Sequence, residues 1–138
     1  MILTFVVGFH RMSGNNMYHT MQDGDLGIFY KLGSVMLNDV VMYEDNSGDV
    51  RIGRVVAVEG QTVKFLENGG YEVNGYAPLE EIPYETYGDS SKMITLGTDE
   101  YYILNDFRSD TKDSRQFGTV SKSDIKGKLV YLFRGRDF

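Results

Sequence analysis

The chain has 138 residues, a formal net charge of −6, 41% hydrophobic and 13% aromatic content, and no cysteine. The acidic balance excludes a nucleic-acid footprint and leaves no polybasic patch for an anionic membrane surface. The missing cysteines exclude disulfides, thiolate nucleophiles and cysteine-based zinc sites.

The length suits a single domain spanning residues 1–138. No stretch reaches the roughly 20 apolar residues of a membrane span. Short runs rich in β-branched residues and tyrosine predict strands at Leu3–Met12, Leu26–Tyr30, Asp39–Glu44, Val50–Glu59, Gln61–Leu66 and Tyr71–Val73. Three more follow at Tyr101–Leu104, Gly118–Val120 and Lys126–Phe133. Asn46-Ser47-Gly48-Asp49, Asn68-Gly69-Gly70 and Asn74-Gly75 supply the turn chemistry between them. Helical signals are confined to single turns starting at Asn38-Asp39 or at Ser121–Asp124. The fold class read from this pattern is all-β, with little helix. Residues 68–96 hold both prolines and are rich in tyrosine and glutamate, so they are expected to form a small inserted lobe. The methionines of the first third (Met12, Met17, Met21, Met36, Met42) are expected to fill core, with a soft groove lining as the other reading.

Candidate chemistry is concentrated in a few segments. Gly14-Asn15-Asn16-Met17-Tyr18-His19-Thr20 is followed by Gly24-Asp25. Asp39-Val40-Val41-Met42 precedes Ile52-Gly53-Arg54-Val55-Val56, and Tyr71-Glu72-Val73-Asn74-Gly75 comes after. Asn105-Asp106-Phe107-Arg108 leads to Thr111 and then to Asp113-Ser114-Arg115. Taken together and in this order, the segments resemble the conserved boxes of type I signal peptidases, serine/lysine proteases that remove export signals.

The departures from that pattern carry as much meaning as the matches. Where the family has its nucleophilic serine this chain has Asn16, and where it has its lysine base this chain has Gly53. His19 stands at a proline position, Gln61 at an aspartate position, and Thr111 at the serine that supports the lysine; Asn105 and Phe107 also depart. Serine needs a desolvated neutral lysine to accept its proton. A carboxamide is a negligible nucleophile and glycine accepts no proton, and loss of the nucleophile alone costs on the order of 10⁶ in turnover.

The resemblance therefore implies a pseudo-peptidase without catalytic residues. Its degenerate dyad positions would be Asn16 and Gly53, and its vestigial cleft would be formed by Gly14, Asn15, Met17, Tyr18, His19, Thr20, Arg54 and Thr111. Asp113 and Arg115 would form a structural ion pair beside that cleft. No metal or other cofactor is implied. His10 and His19 lack a ligand spacing, and Asp45, Asn46 and Asp49 fit a turn better than a calcium loop. Lys31 and Lys64 are the lysines nearest the boxes and have no nucleophile to serve.

Within the family, the signal-peptidase-like accessory proteins of Gram-positive pilus gene islands (the SipA type) show the same losses. That likeness implies a chaperone-like role in assembling sortase-polymerised pili, with pilin subunits or sortase as partners. It also implies a location at the extracellular face of the cell membrane, held by an upstream anchor. Two other readings stay open: an active or engineered-inactive signal peptidase, and a structural protein whose contacts lie on another face.

Overall fold

In the computed structural model the described residues are 7–31, 33–80, 82 and 85–134. Ten strands are present among these residues: β1 (Val7–Arg11), β2 (Leu26–Tyr30), β3 (Val40–Glu44), β4 (Val50–Ala57), β5 (Thr62–Phe65), β6 (Tyr71–Val73), β7 (Met93–Thr95), β8 (Glu100–Leu104), β9 (Val120–Ser121) and β10 (Ile125–Phe133). They form a seven-stranded sheet in the order β1-β2-β10-β3-β4-β8-β9 and a three-stranded sheet in the order β6-β5-β7. All pairings are antiparallel. The all-β reading holds.

Several local expectations are refined. Only Val7–Arg11 of the first expected strand lies in a described strand, because residues 1–6 fall outside the described range. The strand at Met93–Thr95 and the one-turn helix α1 (Ser114–Phe117) have no counterpart in the sequence reading. Asn38-Asp39 starts no helix: Asn38 takes φ +72° in a tight turn. A single 3₁₀ turn does occur at Lys122–Asp124.

Asn74-Gly75 turns as its residue types require, with φ +53° and +83°. The Val73 and Tyr76 backbones close this turn on each other at 2.9 and 3.2 Å.

Burial divides the core into three clusters. Met12, Met17, Met21, Phe29, Val40 and Ile52 pack together under β1 and β2. Val41, Tyr43, Val55, Ile103 and Val120 fill the centre of the large sheet. Val63, Phe65, Tyr71 and Leu96 meet Val56, Ala57, Tyr102 and Leu104 where the small sheet packs on the large one. A bulge between Val55 and Ala57 makes this junction, because it breaks the alternation of β4 and turns consecutive residues into two cores. Burying Phe65 there stabilises the junction by roughly 2–3 kcal/mol. Met36 is the exception among the first-third methionines that were expected in the core: it is 63% exposed.

Among the described residues, no helix is long and apolar enough to cross a membrane.

Candidate functional site

β4 supplies the axis of the site. It pairs with β3 along Val50–Arg54 but meets β8 only from Arg54 onward. The flank of residues 50–52 that faces away from β3 is therefore unpaired by strand. β1 is an edge strand, and its end faces that flank. Between them lies a groove of about 200 Å³ lined by His10, Met12, Ser13, Asn16, Val50 and Ile52. Two open strand flanks facing one trough can accept an extended peptide by main-chain hydrogen bonding.

Asn16 closes the inner end of this groove. Its side-chain amide donates to the Ile52 carbonyl at 3.0 Å and to Asn105 Oδ1 at 3.0 Å. Its own carbonyl accepts from the Phe107 N–H at 3.0 Å. The loop that holds it is fastened at Asp23, whose carboxylate accepts from the Gly14 N–H and whose N–H donates to Asn15 Oδ1, at 2.8 and 2.9 Å. Gly14 needs its freedom here, at φ +96°. Met17 is fully buried, and its sulfur accepts from the Asp106 N–H at 3.3 Å. Tyr18 is partly exposed and meets Phe107 edge to face, with 6.5 Å between ring centroids.

Gly53 lies on the opposite face of β4 from Ile52. A Cβ added at position 53 would run into Ile103 Cγ2, and would stand 3.3 Å from the Tyr43 ring and 3.4 Å from the Leu104 carbonyl. Ile103 and Tyr43, both fully buried, thus occupy the volume where a side chain at 53 would begin. The Tyr43 hydroxyl is buried and has no hydrogen-bond partner among the described residues. Burial raises its phenol well above the ordinary tyrosine range, and the nearby Asp113 charge adds to the shift.

A second polar cluster braces the first. Arg54 grips Asp106 in a two-pronged contact, Nε to Oδ1 and Nη2 to Oδ2, both at 2.8 Å. Its Nη1 donates to the Asn38 carbonyl at 2.8 Å. The hydrogen bond to Asp106 holds the guanidinium pKa above its usual value. Thr20 donates to Asp106 Oδ2 at 2.6 Å and lines a neighbouring pocket with His19, Arg54 and Leu79.

Asp113 and Arg115 form an ion pair of 2.6 Å with side chains 0% and 4% exposed. Asp113 caps α1 by accepting from the Arg115 N–H, and it also accepts from the Asn105 N–H at 2.9 Å. Arg115 reaches the carbonyls of Tyr87, Arg108 and Asp110. Thr111 is exposed, and no side-chain hydrogen bond links it to Asn16.

The structure thus brings Asn16, Met17, Tyr18, Thr20 and Arg54 together with the loop after β8, and leaves Thr111 at the surface. Sequence reasoning missed the contacts that depend on distant residues: Asn105 and Ile52 on Asn16, Tyr43 and Ile103 on Gly53, and Glu80 on Arg108. Arg108 is 1% exposed and donates to both Glu80 oxygens at 3.0 Å, to Thr86 at 2.8 Å and to the Asn105 carbonyl at 2.7 Å. A buried arginine always needs an acidic partner, but nothing local in the sequence marks Glu80 as the one.

The family model described as "Signal peptidase, peptidase S26" matches residues 1–133. Signal peptidase IB of Staphylococcus aureus (strain Mu50 / ATCC 700699) is 29% identical over 153 residues, spanning 94% of this chain and 78% of its own length. A protein named inactive signal peptidase IA, from Staphylococcus aureus strain MRSA252, is 27% identical over 140 residues, spanning 93% of this chain and 79% of its own. Among solved structures, a signal peptidase I from Enterococcus faecalis V583 matches with a TM-score of 0.58 at 19% identity. That match covers 71% of this chain and 98% of the other, and the likeness is one of fold.

Proposed function

Because this chain belongs to the signal peptidase family, peptidase S26, we propose that it is a non-catalytic member that holds an extended peptide in the β1–β4 groove without cutting it. The observation that carries this reading is the state of positions 16 and 53. The Asn16 amide is engaged by Ile52 and Asn105 and has no nucleophilic character. Gly53 offers no proton acceptor, and Ile103 and Tyr43 close the space beside it. The relative named inactive signal peptidase IA supports the existence of such members in the family.

The proposed role is that of a chaperone-like accessory factor in the assembly of sortase-polymerised pili. Its partners would be pilin subunits or sortase, met at the extracellular face of the cell membrane. The open flanks of β1 and β4 suit a client segment in extended conformation.

The test uses a synthetic peptide spanning the export site of a pilin precursor, with a competent signal peptidase as control. The peptide should stay intact while the control consumes it, and it should perturb amide signals at residues 10–13 and 50–52. Val50→Ser, at the exposed rim of the groove, should weaken binding and Tyr87→Ser should not. Clean processing at the export site would end this reading. It would favour instead an active signal peptidase, the alternative to which the signal peptidase IB relatives lend support.

A further inference from the structure

We propose that this protein carries a second docking site, separate from the Asn16 groove, that receives a partner segment presenting a lysine or arginine beside apolar side chains. The site is a groove of about 380 Å³ with a floor of Val35, Met36, Leu37, Val58 and Tyr101. It shares no lining residue with the groove at Asn16.

The apolar side chains of this groove are held in place. The Asp39 carboxylate accepts from the Met36 N–H at 2.8 Å, and the Asp39 N–H returns to the Met36 carbonyl at 3.2 Å. The Asn38 N–H donates to Val55 and the Val55 N–H to Asp39, at 2.8 and 2.9 Å. Met36 and Leu37 are therefore fixed outward, 63% and 42% exposed, by a turn bonded twice to Val55 of β4. Large apolar side chains held rigidly in water are a signature of contact surfaces.

Charge decides the occupant. Glu59, Asp99 and Glu100 line the same groove. Glu100 is turned to the Gly97 N–H and to Thr119. Glu59 and Asp99 are exposed, and neither has a basic side chain in salt-bridge reach among the described residues. Tyr101 lines the same groove as both carboxylates, and its phenol is pushed upward, first by partial burial and then by the charges of Asp99 and Glu59. An aromatic ring that shares a groove with two carboxylates and an apolar floor matches a cation on an aliphatic stem. An acidic or purely apolar segment would leave the carboxylates desolvated and unpaired.

The probe is the peptide acetyl-Ala-Leu-Lys-Leu-Ala-amide, titrated into the isotopically labelled full chain and followed by amide chemical shifts. Shifts are expected at residues 35–37, 58–59 and 99–101, weakening as salt is raised. Replacing the peptide lysine by glutamate should weaken binding at least tenfold. The protein variant Glu59→Gln with Asp99→Asn should weaken it about tenfold. Asparagine tolerates the positive φ of position 99, so the fold is expected to survive. Should this variant fail to fold, Leu37→Ser at an exposed position and the salt series carry the same test.

Equal binding of the lysine and glutamate peptides would overturn the proposal, as would shifts confined to residues 10–13 and 50–52. Self-association of the chain lost in Leu37→Ser would assign the face to a second copy and overturn it as well. None of these outcomes bears on whether the Asn16 groove cuts its own client.

Discussion

Asn16 and Asn105, 89 positions apart in sequence, are joined side chain to side chain at 3.0 Å. The orientation is dictated from both ends. Asn105 donates its amide hydrogens to the carbonyls of Asp110 and Lys112, which leaves its oxygen for Asn16. The sequence reading makes both residues departures from the signal peptidase boxes. Phe107, another departure, meets Tyr18 edge to face and donates its N–H to the Asn16 carbonyl. The departures therefore touch one another, and they are read best as one interlocked structural unit.

That unit predicts a stability role for Asn16. Asn16→Ala should destabilise the fold by about 1–3 kcal/mol, because it strands the Ile52 carbonyl and Asn105 in a partly buried place. Urea unfolding of Asn16→Ala, Asn105→Ala and the double variant checks this. Fully additive losses would mean that the two side chains are not coupled.

Gly53 is expected to resist substitution. Gly53→Ala should cost about 1–3 kcal/mol through overpacking against Ile103 and Tyr43. For the same reason, Asn16→Ser with Gly53→Lys should not restore cleavage of an export-signal peptide. Cleavage by that double variant would mean that the space at 53 opens freely, and Ile103→Ala added to it tests whether relieving the contact helps folding.

Tyr43 offers a pH signature. Its folded phenol pKa lies above the unfolded value of about 10, so the folded state keeps a proton that the unfolded state releases. Its contribution is complete below about pH 10 and declines as pH rises beyond it. Tyr43→Phe should flatten that alkaline loss in thermal melts recorded from pH 8 to 11. At neutral pH the same change should be neutral or stabilising by up to about 1 kcal/mol, since it removes a buried hydroxyl with no partner.

The Arg108–Glu80 contact ties the excursion after β6 to the loop after β8. Tyr71 strengthens it, with its hydroxyl donating to Glu80 at 2.8 Å and its ring 5.6 Å from the guanidinium. Glu80→Ala leaves a fully buried arginine without its counter-charge and should cost about 3–5 kcal/mol. Hydrogen exchange should show the loss first at Tyr71–Val73 and at Gly70, whose N–H is bonded to the Thr86 carbonyl. Unchanged protection there would mean that the pair does not hold the excursion in place.

Much of this molecule was legible one residue at a time. Apolar and aromatic runs marked β2 at its observed place and β3 to within one residue, because alternation against a sheet core is a local property. Asn74-Gly75 announced its turn through its tolerance of positive φ. β7 and α1 were illegible for the opposite reason: three and four residues are too few for a period, and each exists through what it pairs with or caps.

The order of the boxes, and the residue types at 16 and 53, were determined by the sequence alone. Whether those positions keep room for chemistry was decided by tertiary structure. The hydrogen bonds on Asn16 and the packing over Gly53 come from Asn105, Ile103 and Tyr43, which reach them only when β3, β4 and β8 are laid side by side. Linear order carries no signal for such contacts, because hydrogen bonding and close packing act over a few ångströms of space and are blind to chain separation.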